Sequence, residues 1–102
     1  MIVNNLTRNE LLAKVYMRVL KEDQRMDTQH ILWDWMCSAT SFIKWLCSYN
    51  NNGDSFHIAI RKSGLEAGEE GFVNKQCEVL SGEYIRIKIT WQDGNDFTIE
   101  IN

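Results

Sequence analysis

Residues Ile31–Tyr49, Ile-Leu-Trp-Asp-Trp-Met-Cys-Ser-Ala-Thr-Ser-Phe-Ile-Lys-Trp-Leu-Cys-Ser-Tyr, hold three of the four tryptophans and two of the three cysteines of the chain. Wound as one helix at about 100° per residue, the stretch gathers an apolar arc centred on Ala39. The arc takes in Ile31, Leu32, Trp35, Met36, Phe42, Ile43, Leu46, Cys47 and Tyr49, while Asp34, Ser38, Thr40, Ser41, Lys44 and Ser48 lie opposite. That pattern predicts a central core helix with one thin polar strip. Trp33, Cys37 and Trp45 fall on the flanks of the strip, which is more aromatic surface than one buried face requires. Two readings follow: a helix buried on both flanks, or an exposed aromatic patch for a partner or a second copy of the chain, since Trp is enriched at binding hot spots. Burial on both flanks is the favoured of the two.

Working back toward the N-terminus, Leu6–Leu11 reads as a helix start. Thr7 caps, Glu10 completes a capping box, and Leu6 with Leu11 forms a hydrophobic staple. The helix is predicted to reach Glu22, with one stripe made by Leu11/Leu12, Val15/Tyr16 and Val19/Leu20. Asp23–Met26 is a short connection, with Asp27 or Thr28 capping the next helix, and so brief a link favours an antiparallel αα-hairpin.

Beyond Asn50-Asn51-Asn52-Gly53, a C-terminal stop, the period changes from helical to two. Phe56, Ile58 and Ile60 alternate with polar neighbours. Ser63–Gly71, rich in Gly and Glu, reads as the longest loop. Val73, Cys77 and Val79 share a face, then Ile85, Ile87, Ile89 and Trp91, then Phe97, Ile99 and Ile101. Facing residues of an antiparallel pair must share a side of the sheet. An odd-numbered loop at Asp93–Asn95 therefore pairs Trp91 with Phe97, Ile89 with Ile99 and Ile87 with Ile101, and sets Lys88 against Glu100. A turn at Ser81–Glu83 sets Arg86 against Glu78. The expected architecture is a single α+β domain over residues 1–102: an N-terminal αα-hairpin on one face of a four-stranded antiparallel β-meander, order ααββββ.

Bulk properties narrow the function. The 102 residues are 44% hydrophobic and 25% charged, ordinary globular values, with a net charge of −3 that argues against a general nucleic-acid binder. Residues 1–53 carry 6 Lys/Arg against 5 Asp/Glu, and residues 54–102 carry 5 against 9, so the second half is the acidic one. No secretory signal or membrane-length apolar run is visible, and an odd cysteine count fits reduced thiols, so a cytoplasmic protein is expected. If a phage or mobile element encodes it, the compartment is the host cytoplasm.

Chemistry-bearing patterns are weak. His30, Asp34 and Cys37 have the residue types of a thiol triad. His30 and Cys37 are nevertheless about 10 Å apart along a helix axis, against the roughly 3 Å a base needs, and Cys37 reads as a small buried hydrophobe. No metal-ligand spacing and no phosphate-binding glycine loop is present, so neither metal nor cofactor is expected. Lys14, Arg18, Lys21 and Arg25 recur at i, i+4, i+7 and i+11, one basic stripe on the first helix. Its plainest reading is a solvated face. Glu66, Glu69 and Glu70 form an acidic loop.

Taken together these features favour a small non-catalytic protein-binding module acting by occupying a surface of a larger protein. Inhibitors or antagonists of immunity, antidote or phage anti-defence type, and adaptor subunits, are domains of this size, by analogy alone. The candidate contacts are Trp33, Trp45, the basic stripe and the Glu66–Glu70 loop. The runner-up is a nucleic-acid-binding accessory protein using the stripe with Arg86 and Lys88, and a small enzyme with an unrecognised pocket is third.

Overall fold

Thr7 opens the first helix as its cap: its hydroxyl accepts from the Glu10 N–H at 3.2 Å and donates to the Glu10 carboxylate at 3.1 Å. A computed structural model describes residues 7–48, 51–63, 67–69, 84–92 and 96–101. α1 runs Arg8–Glu22 and buries Leu11, Leu12, Val15 and Val19, the stripe expected from the spacing. Leu6, the other half of the staple, lies outside the described residues.

α2 spans Met26–Ser38 and starts earlier than Asp27 or Thr28 would place it. Arg25 is the cap residue, without a side-chain cap bond, and its N–H instead donates to Asp23 Oδ1 at 3.1 Å. Thr28 and Gln29 are buried in the first turn, and the Gln29 amide donates to the Asp23 carbonyl. The connection is thus tied from both ends, through the Arg25 N–H and the Asp23 carbonyl.

The single central helix is not what forms. The stretch breaks at Ala39, whose backbone is extended (φ −73°, ψ 111°), and resumes as α3, Thr40–Ser48. Ala39 serves both pieces, its N–H donating to Trp35 O at 2.7 Å and its carbonyl accepting from Ile43 N at 3.0 Å. Ser38 Oγ bonds back to the Asp34 and Trp35 carbonyls, a habit of helical Ser that competes with the ladder and bends helices. Packing decides the matter. The buried residues are Leu32 and Met36 in α2, then Phe42 and Leu46 in α3. Six residues separate Met36 from Phe42, so an unbroken helix would hold them about 120° apart. The break brings both onto the core. It also leaves Ile43 half-buried and turns Cys47, expected in the apolar arc, to solvent. Tyr49 lies outside the described residues.

The strands are β1 (Ser55–Arg61), β2 (Ala67–Glu69), β3 (Tyr84–Trp91) and β4 (Phe97–Ile101), forming an antiparallel sheet with spatial order β2-β1-β3-β4. The class is α+β, with the helices first in the chain and packed on the sheet. Two details differ from a simple meander. β2 lies inside the segment read as a loop, where Ala67-Gly68-Glu69 has little strand propensity of its own but completes the ladder along Ile58–Ile60. β1, not a strand following β2, pairs with β3, so Arg86 lies opposite Ala59. Glu78 and the strand expected around Val73–Val79 lie outside the described residues.

The β3–β4 register matches the parity expectation: Trp91 opposite Phe97, Ile89 opposite Ile99, Ile87 opposite Ile101 and Lys88 opposite Glu100. Ile58, Ile60, Ile87 and Ile89 are fully buried against the helices. Gly53, at φ +91°, starts the approach to β1, and its N–H donates to the Trp91 carbonyl at 2.9 Å. Glycine adopts this left-handed conformation without a Cβ penalty.

Candidate functional site

The solvent side of α1 carries the one large apolar side chain that stands exposed among the described residues, Met17 at 57%. It lies three and four residues from Lys14 and Lys21, and so on their side of the helix. Lys14, Met17, Arg18, Leu20 and Lys21 line a surface groove of about 410 Å³. An apolar floor bordered by ammonium groups can take an apolar side chain flanked by carboxylates.

The basic stripe is not uniform. Arg18 turns from α1 toward the sheet, donating from Nη1 to the Phe97 carbonyl at 2.7 Å and from Nη2 to Asp96 Oδ1 at 3.0 Å, with its guanidinium 4.8 Å from the Phe97 ring centre. Lys14 Nζ sits 5.7 Å from the same ring. The Arg18 hydrogen bond, then that of the Phe97 N–H, hold the Asp96 carboxyl below its ordinary 3.8, with the Arg18 and Lys14 charges adding to them against slight desolvation. Since the two side chains are 40% and 63% exposed, solvent screens the pair. Arg25 turns back to Asp23, Nε to Oδ1 at 3.5 Å. Of the four stripe residues, Lys14 and Lys21 therefore border the groove as ammonium groups, Arg18 clasps β4, and Arg25 closes the α1–α2 turn.

The two flank tryptophans are half-buried and packed on the core rather than forming one exposed patch. Trp33 meets Tyr16 of α1 edge-on at 4.9 Å. Trp45 stacks on Phe42 at 5.8 Å and contacts Phe56 at 5.5 Å, in a ring cluster that also holds Trp35. The surplus of aromatics thus serves helix–helix and helix–sheet packing. Glu69 is half-buried in β2 and shares a shallow groove with Trp35, Ala39, Ser41, Ala67 and Gly68; Glu66 and Glu70 lie outside the described residues.

Arg86 and Lys88 project from the sheet face opposite the helices, with Lys88 flanked by His57 and Glu100. They share no surface element with the α1 stripe, so the basic residues proposed together for nucleic acid fall on separate faces. His30, Asp34 and Cys37 are all exposed on α2. Cys37 is accordingly not a buried hydrophobe, because the strip flank on which it sits faces solvent.

Met17 is not among the candidates the sequence pattern offers, yet the structure places it in the groove. Its signal was present: an apolar side chain outside the stripe pairs and inside the Lys14–Arg18–Lys21 run. No protein-family model, curated protein or solved structure matches the chain. Among the described residues no helix is long and apolar enough to cross a membrane.

Proposed function

We propose that this chain is a small non-catalytic protein-binding domain, an inhibitor, antagonist or adaptor that works by occupying a surface of a larger protein. The observation that carries the reading is Met17, held 57% exposed in a groove bordered by Lys14 and Lys21. Exposing a large thioether costs free energy that a partner's apolar surface recovers, and Met adapts its shape to what it meets. The complementary partner surface offers an apolar side chain between carboxylates. Lysines on the rim steer approach, and the central apolar contact supplies most of the affinity. The contact centre is therefore Met17 rather than Trp33 or Trp45, whose rings are engaged inside the domain.

The test is quantitative capture from the cell that encodes the chain, comparing wild type with Met17→Glu, Lys21→Glu and a control, His57→Ala, on the far sheet face. Met17→Glu is expected to lose the partner, Lys21→Glu to slow its association, and His57→Ala to retain it, all with unchanged circular dichroism. Retention by Met17→Glu overturns the assignment. A salt-dependent gel shift with plain duplex or single strand, abolished by Lys88→Glu, would instead favour nucleic acid.

A further inference from the structure

β4 is an edge of the sheet among the described residues, and an edge strand offers its outer N–H and C=O groups to any extended chain. Which groups point outward follows from the ladder. The Trp91 N–H donates to Asp54 O at 2.6 Å and the Trp91 carbonyl accepts from Gly53, so odd residues of β3 face β1. The Gln92 N–H donates to Asp96 O at 2.9 Å, so even residues face β4. By the alternation of antiparallel pairs, Thr98 and Glu100 bond β3, while Phe97, Ile99 and Ile101 turn their backbone groups off the edge.

At Phe97 both outward groups are taken: its carbonyl accepts from Arg18 and its N–H donates to Asp96 Oδ1 at 2.9 Å. The two side chains that do this are themselves an ion pair across α1 and the start of β4. A second copy adding its own β4 by a two-fold axis has three registers that pair at least two of these outward residues in each strand. In one, Ile99 faces its own equivalent and Phe97 faces Ile101 of the other copy, and in a second Phe97 faces Ile99; both require the Phe97 groups that Arg18 and Asp96 occupy. In the third, Ile99 faces Ile101, no Phe97 group is needed, and Glu100 falls directly opposite Glu100. Like charges placed directly opposite destabilise a strand pair.

We infer that the Arg18–Asp96 clasp and Glu100 form a guard that keeps β4 from pairing with the β4 of a second copy of this chain. The clasp closes the two registers that need Phe97, and Glu100 closes the third. The clasp persists because the Arg18 guanidinium is held by the Phe97 ring face as well as by Asp96 and the Phe97 carbonyl. The guard shares Arg18 with the lining of the α1 groove but makes no use of Met17 or Lys21.

The experiment compares wild type, the clasp variant Arg18→Met with Asp96→Ala, and Glu100→Thr, by sedimentation equilibrium and by amide hydrogen exchange at low and high protein concentration. Wild type is expected to remain monomeric. Both variants are expected to self-associate at least about tenfold more tightly, the clasp variant through the freed Phe97 backbone groups and Glu100→Thr through loss of the like-charge contact. The exchange pattern separates the registers that need Phe97 from the one that does not. Concentration-dependent protection should include Phe97 together with Ile99 in the clasp variant, but should appear at Ile99 and Ile101 without Phe97 in Glu100→Thr. Circular dichroism checks folding, and Glu100→Thr tests the idea even if the clasp variant does not fold. Wild type that already dimerises through β4, or either folded variant that stays monomeric, overturns the guard.

Discussion

Phe42→Ala against Ile43→Ala asks whether the break at Ala39 exists. Phe42 is fully buried, with ring centres 5.0 Å from Phe56, 5.5 Å from Trp35 and 5.8 Å from Trp45. Truncating a Phe at such a position costs about 3–5 kcal/mol, the lost transfer free energy plus the cavity left among neighbours that cannot close in. Ile43 is half-buried beside it, so its truncation removes fewer contacts and should cost about 1–2 kcal/mol. In an unbroken helix continuing the phase of Leu32 and Met36, the order reverses, because position 43 would lie on the core line and position 42 off it. Urea denaturation with a fixed slope reads both values, and the thermal midpoint of Phe42→Ala should fall by about 12 °C or more. Ile43→Ala costing as much as Phe42→Ala would refute the break and the packing built on it.

Leu46→Ala and Ile89→Ala should each destabilise by about 2–4 kcal/mol through cavities at the helix–sheet interface, whereas Ser48→Ala, which only removes a bond to the Lys44 carbonyl, should be nearly silent in the same titrations. Trp45→Ala should cost about 2 kcal/mol or more in stability, because its ring stacks on Phe42 and touches Phe56; a folded variant of unchanged stability would return Trp45 to the surface candidates. Gly53→Ala should cost about 1 kcal/mol and Gly53→Asn less, since the penalty at φ +91° is purely backbone with nothing near the added Cβ. Asp96 has its folded carboxyl pKa lowered, so the stability it contributes is present above the unfolded value and is lost as pH falls through the lowered folded value. The gap between wild type and Asp96→Asn, within about 1 kcal/mol for so exposed a pair, should accordingly close in acid and shrink with salt.

How far the sequence carried the fold depended on how local the deciding signal was. The β3–β4 register was legible because side-chain parity demands an odd-numbered loop, of which Asp93–Asn95 is the simplest, and Lys88 does lie opposite Glu100. The cap at Thr7 was legible for the same reason, a few residues acting on each other. The helix break at Ala39 was not, since neither Gly nor Pro marks it; it follows from the need to bury Leu32, Met36, Phe42 and Leu46 together. β2 was hidden because Ala-Gly-Glu becomes a strand only when the edge of β1 is there to pair with it. At the candidate site, the basic stripe was visible as spacing. Its division into a groove and a clasp was not, because Arg18 is claimed by Asp96, 78 residues away in sequence.

The protein-binding proposal stands or falls most directly on a photo-crosslinking amino acid placed at position 17 and, separately, at position 57 on the far sheet face, in the cell that encodes the chain. A single defined protein adduct at position 17 that is absent at position 57, and that forms more slowly with Lys14→Glu/Lys21→Glu, is the expected result. No adduct at position 17, or the same adducts from both positions, would contradict a contact centred on Met17.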